Sequence, residues 1–251
     1  MEITRVGDDV HLVTGTNVNW ALVTEGDDVT LVDAGYPNDA KALLASLEGI
    51  GRRPEDVRAI LLTHAHLDHM GGIPAFRARH PVPVLTGEEE ARHARREYLE
   101  QITPVQMLRE CTRGAGRRWV RQTLRAVLPQ ASMRLSDVTA VAPDAALDVP
   151  GGLVPVATPG HTRGHTAWLM PSAGVLFSGD ALVSAHPLSR LGTRAQLLPG
   201  VFNEDEAQMA RSLETIAGLA ADTVVPGHGP HLRGSLPGLV ADALAAGPPR
   251  H

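Results

Sequence analysis

The 251-residue sequence is short of several things that other classes of protein need. It has one cysteine, Cys111, which excludes a disulfide framework and a four-cysteine zinc site within the chain. It has one lysine, Lys41, outside any Gly-x-x-x-x-Gly-Lys-Ser/Thr pattern, which excludes a P-loop nucleotide site. No Gly-x-Ser-x-Gly elbow is present, which argues against a serine hydrolase. No apolar run approaches the ~18 residues needed to span a bilayer, and the N-terminus lacks the apolar stretch of a secretory signal, so the expectation is a cytoplasmic protein without a membrane partner. A net charge of −5 gives no general attraction to nucleic acid, and none is expected as a partner. What the chain has in excess is histidine: twelve, about twice average usage.

Apolar runs at Val10–Val13, Trp20–Val23 and Val29–Val32 predict strands, with a Gly26-Asp27-Asp28 turn between the last two. Ala40, Leu43, Leu44 and Leu47 have helical spacing. Val57–Leu62 predicts a buried strand that leads into Thr63-His64-Ala65-His66-Leu67-Asp68-His69, from which a helix is expected to run toward Pro81. Residues 88–134 hold ten Arg and six Glu without strand-like alternation, and read as three short helices inserted between two β-rich halves. Thr103, Pro104 and Gln106 make a capping box for the second, and Gly114 and Gly116 are expected to break it before the Val120, Leu124, Val127, Leu128 stripe of the third. Strands return at 154–157, 167–170, 175–178 and 223–225, with one helix opened by Asn203 and a last one over 236–246. Strand pair, acidic turn and helix occur around Asp33 and again around Asp180, so two similar halves in one layered α/β domain over 1–251 are expected.

Imidazoles and carboxylates in one cluster suit a metal such as zinc. His64, His66, Asp68 and His69 fall within six residues at a strand end. His161, Asp180 and His228 each follow an apolar strand and a glycine, which gathers all seven on one sheet edge. Seven donors are too many for one tetrahedral ion and suit two ions sharing a carboxylate.

These residues, with Leu31-Val32-Asp33-Ala34-Gly35, Thr158-Pro159-Gly160-His161-Thr162, Gly164-His165 and Phe177-Ser178-Gly179-Asp180, resemble the dinuclear signature of the metallo-β-lactamase superfamily. The resemblance covers both β-rich halves but not the insertion. It implies a four-layer αββα sandwich and two Zn²⁺, with Fe or Mn as alternatives. His64, His66 and His161 would hold the first ion, Asp68, His69 and His228 the second, and Asp180 would bridge them. Asp68 would also accept a proton from a hydroxide-forming water between the ions. Asp33, as an orienting group or a turn former, and His165, as an orienting group, would stand behind the ligands. The implied activity is hydrolysis of a small ester, thioester or lactone, on the glyoxalase II-like side of the superfamily. The alternatives are a phosphodiesterase or nuclease, and a mononuclear-iron oxygenase of the persulfide dioxygenase kind.

Departures narrow this further. Asp180 stands where dinuclear β-lactamases usually carry Cys, His66 stands where flavo-diiron proteins carry Glu, and Val183 stands where quorum-quenching lactonases typically carry Tyr. About twenty residues follow His228, fewer than the C-terminal helical domain of glyoxalase II needs. The partner expected is a small molecule, with a homodimer through the insertion left open. The insertion, net +4, reads either as a lid recognising an anionic group or as a solvated helix face. His11, His80, His93, His231 and His251 read as ordinary residues, His186 as an exposed loop residue and Cys111 as a packing residue.

Overall fold

The computed structural model describes residues 1–128, 130 and 133–247; three residues of the insertion segment and residues 248–251 lie outside them. The chain opens with an antiparallel meander of β1 (Glu2–Arg5), β2 (Val10–Thr14), β3 (Asn19–Glu25) and β4 (Asp28–Val32). Helix α1 (Ala40–Gly49) then carries the chain to β5 (Val57–Leu61), which pairs parallel to β4. The expected helix toward Pro81 is two short ones, α2 (Leu67–Met70) and α3 (Ile73–Arg77). The break follows from the loop after β4: Ala34 N–H donates to the carbonyl of His69 at 2.8 Å, and Gly72 N–H donates to that of Gly35 at 3.1 Å.

Strands β6 (Val84–Gly87) and β7 (Val138–Val141) extend the first sheet, so its order is β1 to β7 in sequence. The helices α4 (Glu88–Ala94), α5 (Pro104–Glu110) and α6 (Gly114–Val127) therefore leave and re-enter one sheet and do not separate two halves. Thr103 caps α5 as its sequence predicts. Gly114 opens α6, and Gly116 lies inside it at a position where a Cβ would run into the Glu110 carbonyl.

The second sheet has the order β12-β11-β10-β9-β8, from β8 (Val154–Ala157), β9 (Thr166–Met170), β10 (Val175–Gly179), β11 (Thr223–Pro226) and β12 (Leu232–Arg233). Helices α7 (Glu206–Ala217) and α8 (Leu236–Ala246) complete the chain. The expected echo is present, because an antiparallel pair followed by a parallel strand occurs as β3-β4-β5 and again as β9-β10-β11.

Alternation along the strands sets the layers. Leu22, Leu31 and Ile60 pack under Leu43, Leu47 and Phe76 on the outer side of the first sheet, while Ala21, Val23, Val32 and Leu61 meet Trp168, Met170 and Phe177 of the second. On the far side Leu176 and Val224 meet Met209, Leu213 and Ile216 of α7 and Val240 of α8. The result is helix, sheet, sheet, helix. Both sheets are buried on two faces, which is why their central strands read as continuous apolar runs. Among the described residues no helix is long and apolar enough to cross a membrane.

Candidate metal centre

The strand ends of β4, β5, β8, β10 and β11 deliver Asp33, His64, His161, Asp180 and His228 to one place, and the turn into α2 adds His66, Asp68 and His69. In a first group, His64 Nε2 lies 3.1 Å from His66 Nδ1, and His161 Nε2 lies 3.2 Å and 3.1 Å from these two. In a second group, Asp68 Oδ2 lies 3.8 Å from His69 Nε2 and 3.6 Å from His228 Nε2. Asp180 reaches both groups: its Oδ2 is 3.4 Å from His161 Nε2 and 3.2 Å from His228 Nε2, and its Oδ1 is 3.4 Å from His69 Nε2.

The far side of nearly every ring is anchored. His64 Nδ1 donates to Thr63 Oγ1 (3.1 Å), His69 Nδ1 to Asp33 Oδ2 (2.8 Å), His161 Nδ1 to Asn203 Oδ1 (3.1 Å) and His228 Nδ1 to the Asn17 carbonyl (2.6 Å). Each bond fixes a tautomer that turns Nε2 and its lone pair inward. Asp33 also accepts from Thr63 N and Thr63 Oγ1, both at 2.8 Å, so it clamps the start of the histidine turn. Asp33 and Asn17 both hold left-handed backbone, φ 62° each, at positions that serve a histidine of the cluster. Gly227 is required by close approach, since a Cβ there would meet Asp180 Oδ1 at 2.3 Å and His69 Cε1 at 2.8 Å.

Electrostatics divides the two groups. Burial and the neighbouring histidines push His64 and His66 well below 6.5, and burial lowers His161, so the first group presents neutral nitrogens. Burial alone would lower His69, but Asp180, Asp33 and Asp68 raise it to about 10, and Asp180 raises His228 against the same effect of burial. Burial would raise Asp180, yet His228 and His69 hold it well below 3.8. The second group therefore calls for positive charge. His69 Nε2 and Asp180 Oδ1 are buried without a hydrogen-bond partner. The nitrogen spacing of the first group is near the ~3.3 Å edge that ligands ~2.05 Å from one tetrahedral ion define. Donor chemistry, spacing and orphaned atoms all fit bound divalent metal.

His165 takes a different position. Its Nε2 accepts from the backbone N–H of Asp180 at 3.0 Å and its Nδ1 donates to Thr158 Oγ1 at 2.8 Å, so it holds the Asp180 backbone rather than a ring. Burial, with His161 nearby, pushes it down to about 3. An unfolded histidine titrates near 6.5, so between these values the unfolded chain binds a proton that the folded chain does not. The His165 contribution is complete above pH 6.5 and falls by about 1.4 kcal/mol per pH unit below it. In denaturant titrations of metal-free protein, the stability difference between native and His165→Asn should shrink by about 2 kcal/mol from pH 7 to pH 5; a difference that stays constant refutes the assignment.

Several contributors carry no sequence signal. Asn203, expected as a helix cap, spends its side chain on His161, and Asp205 caps α7 in its place. His186 is buried, not exposed, with its ring 5.2 Å from that of His228 and 5.0 Å from that of Phe202. His93 is fully buried, its Nδ1 donating to Glu90 Oε1 at 2.7 Å. Tyr36 borders the cluster, and burial with Asp68 close by raises its phenol well above 10, so it stays a donor. Its position after β4, on the same edge as Asp33, is the one clue the sequence offered.

A model of the metallo-beta-lactamase superfamily matches residues 13–228, a span that contains every one of these strand ends. The chain belongs to this superfamily. Among metallo-beta-lactamase relatives it is 27% identical over 223 residues to the probable metallo-hydrolase YflN of Bacillus subtilis (strain 168), covering 83% of this chain and 78% of that one. It is 31% identical over 210 residues to a hydroxyacylglutathione hydrolase of Dechloromonas aromatica (strain RCB), a match that takes in 83% of this chain and 56% of that protein. The solved metallo-beta-lactamase structure from Cronobacter sakazakii superposes with a TM-score of 0.69, covering 98% and 92% of the two chains at 20% identity, a likeness of fold. Membership in a metallo-hydrolase superfamily and a His/Asp cluster suited to metal thus coincide in one chain.

Proposed function

We propose that this protein is a hydrolase holding two divalent ions, zinc foremost, that cleaves a small ester, thioester or lactone. The observation that carries the reading is the pair of donor groups joined by Asp180. His64, His66 and His161 would hold one ion, Asp68, His69 and His228 the other, and Asp180 would reach both. Two such ions would supply an acidified water and a polarised substrate carbonyl. The protein's own part is placement: Asp33, Thr63, Asn203 and Asn17 fix the ring orientations, and His165 fixes the Asp180 backbone. Asp68 is the most accessible of the carboxylates, its side chain 18% exposed against 3% for Asp180, so its carboxylate is the one placed to take a proton from water.

The test joins metal analysis of purified protein to a panel of thioesters, esters, lactones, β-lactams and phosphodiesters. The expected result is close to two divalent ions per chain and turnover confined to the carboxylic substrates. One iron per chain without hydrolysis would overturn the proposal, and preferred cleavage of phosphodiesters would replace it with the other reading of this ligand set.

A further inference from the structure

Beside the metal centre lies a cavity of about 300 Å³ whose wall is built by the insertion. Ile102, Met107, Trp119, Leu124 and Val127 come from the segment leading into α5 and from α5 and α6, and Phe202 adds to the lining. The floor is His66, Leu67 and Asp68, so the cavity opens directly onto both donor groups. Trp119 and Phe202 meet edge to face at 5.5 Å, which gives the wall a fixed shape.

Helix α6 explains how an arginine-rich segment makes an apolar wall. Arg117, Arg118, Arg121 and Arg125 are exposed, while Trp119, Val120, Ala126 and Val127 are buried on the other side of the same helix. Among the described residues no arginine or lysine lines the cavity, and the one carboxylate there is Asp68. Away from that floor, an anionic group entering here would lose water without gaining a cationic partner. The arginines of α6 point to solvent, so the positive charge of that helix offers the cavity no partner for an anion. An apolar group would gain by leaving water.

We propose that this cavity receives an uncharged hydrocarbon part of the substrate, an alkyl chain or aryl ring of about six to ten carbons at roughly 30 Å³ for each water-sized group. The protein then takes lipophilic esters, thioesters or lactones in preference to small polar or anionic ones. This inference rests on the hydrolase reading for its catalytic consequence, but the cavity itself does not.

Two measurements separate the inferences. With metal-loaded protein and p-nitrophenyl esters from acetyl to octanoyl, kcat/KM should rise about two- to fourfold per methylene. Calorimetric binding of straight-chain alcohols, from butanol to decanol, to metal-free protein should show a similar increment. Met107→Glu should lower the octanoyl-to-acetyl ratio at least tenfold, and Leu124→Glu, at a position 44% exposed and tolerant of charge, should do the same if Met107→Glu does not fold. Leu108→Glu, next along α5 but 70% exposed and outside the cavity, should leave the ratio unchanged. Chain-length dependence that is flat in both measurements overturns the cavity proposal while leaving the hydrolase reading intact. An equal effect of the charge at 107 and 108 also overturns it. Alcohols that bind with the increment to a protein that hydrolyses no ester, thioester or lactone support the cavity and refute the hydrolase reading.

Discussion

Replacing Asp180 with alanine should empty both donor groups together and lower ester or thioester kcat/KM by at least about a thousandfold, some 4 kcal/mol of transition-state stabilisation. The expectation follows from position. Among the described residues Asp180 is the one side chain within 3.2–3.4 Å of donors in both groups, its Oδ2 reaching His161 of the first and His228 of the second and its Oδ1 reaching His69 of the second. Without it, His69 and His228 lose the carboxylate that draws positive charge to them. Metal content by mass spectrometry of the native assembly should fall in parallel with activity. A variant that keeps full metal and full turnover would show that the two groups work independently and that Asp180 joins nothing.

The second large effect is expected at Glu90, which touches none of the donor atoms. Its carboxylate is fully buried and accepts from Ala65 N at 2.6 Å, from Thr162 Oγ1 at 2.7 Å and from His93 Nδ1 at 2.7 Å. Ala65 lies between His64 and His66, and Thr162 follows His161, so one side chain ties together the two turns that supply the first group. Arg96 completes the grip by donating to the Ala65 carbonyl at 3.0 Å. Glu90→Ala would leave three buried donors without an acceptor, at about 1–3 kcal/mol each before relaxation. The expected net loss is about 3–5 kcal/mol, a melting temperature lower by on the order of 10 °C, and a 10–100-fold weaker first-group metal site. Glu90→Gln should do far less harm, because Ala65 N and His93 both bond Oε1, which glutamine retains, while its Nε2 can donate to the Thr162 hydroxyl. Equal damage from alanine and glutamine would mean that the carboxylate charge, not the bonding pattern, is what matters.

The contrast between these two residues shows how much of the site was legible. Asp180 stands out because it follows a four-residue apolar strand and a glycine, the pattern that also marks His161 and His228. Glu90 is the third glutamate of a Glu88-Glu89-Glu90 run at a helix start, a place where acidic residues favour the helix dipole, and nothing local separates it from exposed Glu88 and half-buried Glu89. Only the packing of α4 against the turns at 63–66 and 161–164 makes it different. The fold divides in the same way. Strands β2 to β5 and β8 to β11, with α1, follow apolar runs bounded by turn residues, whereas β1, β6, β7 and β12, two to four residues each, are strands only because a neighbouring strand is there to pair with them.

By itself the sequence determined the chemistry of the site: three histidines and a carboxylate within a six-residue stretch after a strand, and three more donors at later strand ends, chosen by side-chain type and local spacing. Tertiary structure decided which atoms meet. That His66 turns Nδ1 inward while His64 and His161 turn Nε2 depends on where each turn sits and what each ring leans against, and these partners lie as many as 211 residues away, as with Asn17 and His228. It also decided which way the insertion faces. Amphipathic spacing gives α6 an arginine side and an apolar side, but only its docking over the donor groups turns the apolar side into the wall of a cavity, because burial is a property of what a helix packs against.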